Sequence, residues 1–220
     1  SSDLQAMINA SASGNAVWVA AGTYKPTLGP FGVVPADPRD KTFYVKDGVK
    51  IYGGFAGTET LLSQRNITTN ITTLSGDFSG DDVVSGSGST LSIANNGENA
   101  YHVVLASAPA SGGIGVTIDG FTIIGGNASV ATTITVNGNI INRSNGGGIY
   151  IANGTNTLTN NTIYYNIANL RGGGIYSNNA ANTIEKNTVY NNKSVTNGGG
   201  IFIENGTSTI NNNVLYLNSA

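Results

Sequence analysis

Few residues of this chain could carry out acid–base or metal chemistry, and the most concentrated group lies in its first half. Asp77, Asp81 and Asp82 occur in a stretch rich in Gly and Ser. Carboxylate oxygens on a flexible loop suit calcium, a hard cation that prefers oxygen ligands. The spacing matches no calcium-loop signature, and a solvated polar loop is the simpler interpretation. We therefore predict no metal site and no cofactor, with calcium at this loop as the alternative.

Asp119 and His102 are the other candidates for catalysis. Asp119 precedes Gly120, a pair that is typical of a turn. His102 is the only histidine. The alternation along its segment is compatible with either a buried or a surface position. No serine or acid accompanies it in a catalytic motif. The sequence therefore predicts no catalytic residue.

The sequence Gly-Gly-Gly-Ile occurs three times in the last third of the chain. The copies begin at Gly146, Gly172 and Gly198, so they are 26 residues apart. A fixed period of this size indicates a solenoid, in which each unit buries its apolar face against its neighbours. Other positions keep the same register, among them Thr157, Thr183 and Thr209; Leu158, Ile184 and Ile210; and Asn161, Asn187 and Asn213.

Each repeat contains short runs typical of β-strands. Ile149-Tyr150-Ile151 alternates, and Thr157-Leu158 and Thr162-Ile163 combine β-branched with apolar residues. Three short strands and three turns fit into 26 residues, which would form one coil of a parallel β-helix. Strands of successive coils would lie about 4.8 Å apart, with residues 26 positions apart stacked on one another. The predicted fold class is all-β, a single-stranded parallel β-helix of about seven coils.

We expect one domain over residues 1–220. A helix from Leu4 to about Ala12, capped by Asp3 or Ser2, is expected to cover the first coil, with Leu4, Met7 and Ile8 on its buried stripe. The predicted organisation is a cap at 1–15, irregular coils at 16–127 with loop insertions at 25–41 and 75–90, an insertion at 128–145, and regular coils at 146–220 with an open C-terminal end.

The composition limits the partners of this chain. Only 10% of its residues are charged and the net charge is −2, which gives no electrostatic footprint for nucleic acid or an anionic membrane surface. No apolar run approaches the roughly 18 residues of a membrane span. The chain has no cysteine, which excludes disulfides and thiolate metal sites and is compatible with export.

Alternation within the repeats predicts two external aromatic columns. If Ile149 and Ile151 face the core, the residue between them faces outward, and so do its equivalents 26 positions away. Flat aromatic rows beside amide groups suit the stacking of sugar rings, although such columns can also serve only to stabilise neighbouring strands. The predicted ligand-binding residues are Tyr150, Tyr176 and Phe202 in the first column, and Tyr164, Tyr190 and Tyr216 in the second.

Four parts of the chain carry a family resemblance: residues 17–24 (VWVAAGTY), 46–59 (KDGVKIYGGFAGTE) and 118–123 (IDGFTI), and the Gly-Gly-Gly-Ile units. Together they resemble the pectin-lyase-like right-handed β-helix proteins of bacterial surfaces, in particular repeat proteins related to polymorphic outer-membrane adhesins. The resemblance implies right-handed coiling and an extracellular or cell-surface location. It transfers no catalytic residue, because lyases, hydrolases, adhesins and passive stalks share this fold.

From these observations we expect a non-enzymatic structural or adhesive module whose partners are glycans or another surface protein. One alternative is a polysaccharide lyase or glycoside hydrolase with its site among Asp77, Asp81, Asp82 and Asp119. The other is a filament subunit, since an open last coil exposes a pairing edge through which copies could associate head to tail. The same open end would also be expected in a segment of a longer protein.

Overall fold

The structure is a computed structural model and describes residues 3–220. Over this range the chain has one α-helix, Leu4–Ala10, followed by short β-strands. Most strands pair in parallel with strands far away in sequence, and the resulting sheets stack in chain order. The predicted all-β class with stacked parallel strands is confirmed.

Three long parallel sheets run along the molecule. Sheet 1 contains Ala16–Ala20, Lys50–Phe55, Thr117–Asp119, Thr155–Thr159, Ala181–Glu185 and Ser208–Asn211. Sheet 2 contains Gly22–Tyr24, Thr72–Ser75, Thr122–Ile124, Thr162–Tyr164, Thr188–Tyr190 and Val214–Tyr216. Sheet 3 contains Phe43–Val45, Val104–Ser107, Ile149–Ala152, Ile175–Asn178 and Ile201–Glu204. The longest sheets have six strands, so the expected number of about seven coils was too high.

A small fourth sheet and two hairpins complete the strands. Sheet 4 contains Asn127–Ala128, Ile167–Ala168 and Lys193–Ser194, which adds a two-residue strand to the three predicted for each regular coil. The hairpins pair Val83–Ser85 with Ser92–Ala94, and Thr133–Val136 with Asn139–Asn142. The first hairpin begins within the loop insertion predicted at 75–90 and extends to Ala94. The 3₁₀ turns are Pro30–Gly32, Pro38–Asp40, Leu62–Gln64, Gly88–Thr90 and Asn96–Glu98.

The register of the regular strands places equivalent residues beside one another. Ile149 pairs with Ile175, and Ile175 pairs with Ile201. In sheet 1, Leu158 pairs with Ile184, and both side chains are fully buried. Towards the N-terminus, Leu158 pairs with Ile118, 40 positions earlier. Because paired residues share a face of the sheet, each apolar column continues the core of the coil before it.

Files of asparagine link the coils through their turns. The backbone N–H and Nδ2 of Asn161 both donate to Asn187 Oδ1 at 3.0 Å. Asn187 makes the same two bonds to Asn213, and its Nδ2 also donates to the Leu158 carbonyl at 2.9 Å. Each amide in the file thus satisfies backbone groups that the turn would otherwise bury without partners. Equivalent side-chain bonds join Asn166, Asn192 and Asn218, and join Asn156 to Asn182.

The three glycines of the repeated motif have different roles. Gly172 has a φ of +64°, a left-handed conformation that glycine adopts without a steric penalty. A Cβ on Gly173 would lie 2.4 Å from the Lys193 carbonyl oxygen, and one on Gly174 would lie 2.5 Å from that of Gly200. The first glycine therefore allows the turn, and the next two allow another backbone segment to approach closely.

The N-terminal helix contacts the edge strand of sheet 3. Asp3 caps it by accepting the Gln5 backbone N–H at 2.9 Å. The Gln5 side chain donates to the Tyr44 carbonyl at 3.1 Å and accepts the Tyr44 N–H at 2.9 Å. Leu4 and Ile8 are buried as predicted, but Met7 is 49% exposed. Gln5 occupies the buried position instead, and the helix ends at Ala10, two residues earlier than expected; the alternative cap Ser2 lies outside the described residues.

No helix among residues 3–220 has the length and hydropathy needed to cross a membrane.

The contribution of coil packing can be measured at one position of two adjacent coils. Ile184 is fully buried, whereas its pairing partner Ile210 is 47% exposed. Replacing Ile184 with alanine should lower the free energy of unfolding by about 2–5 kcal/mol, because it leaves a cavity. Ile210→Ala should cost clearly less. Urea unfolding of both variants checks this, and equal losses would contradict it.

The asparagine file gives a second test. Asn187→Ala removes the acceptor of two Asn161 donors and should lower the free energy of unfolding by roughly 2–3 kcal/mol. Asn213→Ala, at the more exposed end of the file, is the matched control and should cost less. A thermal-melting comparison in which Asn213→Ala is the more damaging change would contradict the role assigned to the file.

Candidate functional site

The first aromatic column is covered by a hairpin. Tyr150 and Tyr176 lie on the opposite face of sheet 3 from the main core, as alternation predicts. Each is only 2% exposed, and both belong to one buried cluster with Val136 and Ile141 of the hairpin. Burial raises the pKa of Tyr150. The predicted exposure is thus wrong for these two residues, and only Phe202, the third member, is partly exposed.

The second column stands on the outer face of sheet 2. The rings of Tyr164 and Tyr190 have centroids 4.8 Å apart at 13°, and those of Tyr190 and Tyr216 are 4.9 Å apart at 1°. Tyr216 is 45% exposed and the other two are half-buried. Because the rings lie face to face, each covers its neighbour, and the column presents ring edges and hydroxyls in place of the flat platform expected.

The hydroxyls of Tyr164 and Tyr190 remain protonated well above neutral pH. Burial, followed by the neighbouring Tyr164 and Tyr216, raises the pKa of Tyr190 to about 12. Burial likewise raises the pKa of Tyr164. Both hydroxyls can therefore donate as well as accept hydrogen bonds at physiological pH.

A groove with a volume of about 450 Å³ lies beside this column. Tyr164 and Tyr190 contribute to its lining, and Ile67 and Ile71 from the preceding loop contribute apolar surface. Phe121 and the side-chain amide of Asn160 also line the groove. This surface combines apolar patches with groups able to hydrogen-bond. We call it the tyrosine groove.

Threonines from successive strands of sheet 2 lie side by side, and three of them, Thr73, Thr122 and Thr162, line the tyrosine groove. Thr122 pairs with Thr73 on one side and with Thr162 on the other, and Thr162 pairs with Thr188. All four are half-buried. Since paired residues share a face, their side chains form one row of hydroxyl groups across the strands. The row offers uncharged hydrogen-bonding groups on four successive strands.

The acid nearest the tyrosine groove is already paired. Asp119 Oδ2 lies 2.7 Å from Arg65 Nη2, and its Oδ1 accepts a hydrogen bond from Asn160 Nδ2 at 2.9 Å. Arg65 also donates to the Asp119 and Gly53 carbonyls. Both carboxylate oxygens are thus engaged in holding the loop against the coil. Asp119 ends a strand of sheet 1 and does not occupy the turn position that was predicted.

The remaining predicted acids lie together in the insertion that follows the Thr72–Ser75 strand of sheet 2. Asp77 and Asp81 meet Glu98, and one oxygen of each lies within 4.8 Å of the others. Asp82 Oδ2 accepts Asn99 Nδ2 at 2.9 Å. Asp119 has different partners, so the structure divides the four aspartates between two environments. Glu98 and Asn99 were missed, because no local motif shows that they fold back onto Asp77.

His102 is buried in the interior and 3% exposed. Its Nδ1 lies 2.9 Å from the Gly146 carbonyl oxygen, which makes Nδ1 the donor, and its ring packs edge-on against Tyr150 at 5.0 Å. Nε2 has no partner among the described residues. Burial lowers the pKa of His102 to about 4, with the Gly146 carbonyl and Asp40 acting in the opposite direction and Arg143 adding to the decrease. The ring is thus neutral and inaccessible at physiological pH.

Comparison with protein-family models, with characterised proteins and with solved structures gives no match for this chain.

The buried histidine should make stability depend on pH. The unfolded chain takes up a proton near the ordinary His pKa of 6.5, whereas the folded chain does so only near 4. Stability should therefore decrease as pH falls from 6.5 to 4, by on the order of 3 kcal/mol. His102→Asn, which keeps a donor for Gly146, should lack this component. Urea unfolding of both proteins across this range measures the difference; parallel curves would contradict the assignment.

Proposed function

We propose that this chain is a right-handed parallel β-helix with 26-residue coils in its C-terminal part, capped by the helix Leu4–Ala10. The pairing of Ile149 with Ile175 and Ile201 supports the coil length. The bonds between Gln5 and the edge strand support the capping role. The resemblance of residues 17–24, 46–59 and 118–123 supports membership of the pectin-lyase-like class of bacterial surface proteins.

On this basis we infer a non-enzymatic extracellular module, structural or adhesive, that binds an uncharged glycan in the tyrosine groove. The observation that carries the inference is the row of threonine hydroxyls across adjacent strands beside two protonated tyrosine hydroxyls. Sugar hydroxyls donate and accept hydrogen bonds in the same way, so the two surfaces are complementary. The apolar surface of Ile67 and Ile71 suits the C–H faces of sugar rings.

The charge of the site favours a neutral ligand. Asp119 and Arg65 neutralise each other through their ion pair. None of the described residues that line the tyrosine groove is charged, so its lining does not attract a polyuronate or a basic polymer. Because equivalent threonines recur on four adjacent strands, an extended chain lying across these strands would meet the same hydroxyl group repeatedly. We therefore favour a linear neutral polysaccharide over a compact sugar.

The proposal predicts a specific effect of removing one hydroxyl. Thr162→Val keeps the shape of the side chain and should weaken glycan binding by roughly 5–10-fold, the size expected for one lost hydrogen bond. Tyr190→Phe should act similarly while preserving the ring stack. Thr157→Val, a half-buried threonine of sheet 1 in the same coil, is the matched control and should bind normally. Glycan-array screening followed by calorimetry measures these affinities.

Two results would contradict this proposal. One is the absence of binding to any neutral glycan; the other is equal weakening by Thr162→Val and Thr157→Val. The same samples should be assayed for release of unsaturated sugar from polyuronates. Such release would overturn the non-enzymatic assignment and favour the lyase alternative.

A further inference from the structure

The tyrosine groove is elongated in the direction in which the coils stack. Its lining includes residues of four neighbouring strands of sheet 2, which are Thr72–Ser75, Thr122–Ile124, Thr162–Tyr164 and Thr188–Tyr190. Neighbouring strands lie about 4.8 Å apart, so the first and the fourth are separated by roughly 14 Å. A single sugar ring is too short to contact both ends. A ligand that uses the whole groove must therefore contain several residues in line.

The floor of the groove carries a straight row of hydroxyl groups. Thr73, Thr122 and Thr162 occupy paired positions on three neighbouring strands, and all three line the groove. Paired residues of parallel strands lie beside one another, so the row presents one threonine about every 4.8 Å. A ligand that repeats at a similar interval can therefore hydrogen-bond to each threonine in the same way.

Aliphatic side chains flank one end of this row. Ile71 directly precedes the strand that carries Thr73, and it is 55% exposed. Ile67 lies against the turn before the next strand, where a Cβ on Gly120 would be 2.7 Å from Ile67 Cγ2. Both isoleucines line the groove. They offer apolar surface beside the hydroxyl groups.

Tyrosines flank the other end of the row. Tyr164 and Tyr190 lie two positions after Thr162 and Thr188, on the same outward face of their strands. Tyr190 belongs to the fourth strand of the groove, whereas Ile71 adjoins the first. A ligand must therefore extend across all four strands to contact both the aliphatic and the tyrosine ends.

The loop that carries the two isoleucines is held in place by the protein itself. Arg65 Nη2 lies 2.7 Å from Asp119 Oδ2, and Arg65 Nη1 donates to the Gly53 and Asp119 carbonyls. The Asn66 backbone N–H donates to the Gly54 carbonyl at 2.7 Å. Binding does not have to order this loop. A groove that is already straight favours a ligand that is straight before it binds, since neither partner then loses much conformational freedom.

Neutral linear glycans differ in how straight they are. In β-1,4-linked glucose or mannose chains both bonds of each residue are equatorial, so the chain is a flat, extended ribbon. Each residue presents hydroxyl groups at the edges of the ribbon and C–H groups on its faces, and it advances the chain by about one strand spacing of about 4.8 Å. In α-1,4-linked chains of the same sugars one bond is axial, and the chain curves. Only the ribbon keeps its hydroxyl groups in step with a straight row.

An extended peptide fits this surface less well than a glycan. Peptides that bind β-sheets in extended form pair with the backbone of a free edge strand. The groove lies on the face of sheet 2, and each strand that lines it has a neighbour on both sides. No free backbone edge is therefore offered here.

We infer that the tyrosine groove binds a β-1,4-linked glucan or mannan that lies across the strands of sheet 2, with one sugar residue over each of Thr73, Thr122 and Thr162. This inference rests on the glycan-binding function proposed above and specifies the linkage, the direction and the minimum length of the ligand. A hydroxyl edge of the ribbon faces the threonines, and a C–H face meets the isoleucines.

Calorimetry of the full chain with defined oligosaccharides tests the linkage and the length. Cellohexaose or mannohexaose should bind at least about tenfold more tightly than maltohexaose, the α-1,4-linked hexamer of glucose. In the series that binds more tightly, affinity should rise at least about tenfold from the dimer to the tetramer, because the longer chain adds about two hydrogen bonds. It should change little from the tetramer to the hexamer.

Two substitutions test the contacts with the hexamer. Thr122→Val, in the middle of the row, should weaken binding by roughly 5–10-fold, whereas the sheet 1 variant Thr157→Val should bind normally. Ile71→Ala should weaken binding at least about threefold through lost apolar contact. Its matched control is Ile140→Ala, at a position 69% exposed on the hairpin over sheet 3, which should have no effect. Circular dichroism of each variant excludes misfolding as the cause of a loss.

The linkage and length comparisons use the unsubstituted protein, so they decide the inference even if a variant does not fold. Equal affinity for maltohexaose and the β-linked hexamers would overturn the inference, and so would equal affinity for dimer and hexamer. Either result leaves the broader glycan proposal standing. Binding of an uncharged Ser- and Asn-rich peptide in place of any neutral glycan would overturn both, as would an array on which no neutral glycan binds.

Discussion

The structure depends on one constraint: the backbone of each coil must hydrogen-bond to the next coil in the same register. Isoleucine then meets isoleucine in sheet 3, and Asn161 meets Asn187 in the turn. The same register requires the left-handed backbone of Asn160 to be repeated at Lys186 and Asn212, with φ near 55° at all three. Asparagine tolerates this conformation better than lysine does, so the repeat accepts some strain to preserve the stacking.

The regular coils and the insertions have different roles in this structure. The coils provide core columns, asparagine files and a row of threonines, which follow from stacking alone. The features that differ from coil to coil come from inserted segments: the loop bearing Arg65 and Ile67, the acid-rich insertion at 76–99, and the hairpin over Tyr150. Chemical specificity therefore resides mainly where the repeat is interrupted, as is common for loops on a rigid scaffold.

Sequence reasoning succeeded where the physics is local and periodic. The spacing of the glycine motif predicted which residues pair, and alternation predicted that Tyr150 and Tyr164 leave the core. It failed where a contact joins distant segments. Nothing near Tyr150 indicates that Val136 will cover it, and nothing near Asp77 indicates that Glu98 will approach. It also missed the geometry of the tyrosine rings, because the pattern gives the direction of a side chain but not the tilt of its ring.

The Gln5 amide has a consequence for how this molecule behaves in a crowded solution. A primary amide has the same donor and acceptor as a peptide group, and here it satisfies both the N–H and the carbonyl of Tyr44 on the outermost strand of sheet 3. A strand from another molecule could extend that sheet only after displacing the Gln5 side chain. One side chain therefore protects this edge against the intermolecular β-pairing that begins many aggregates.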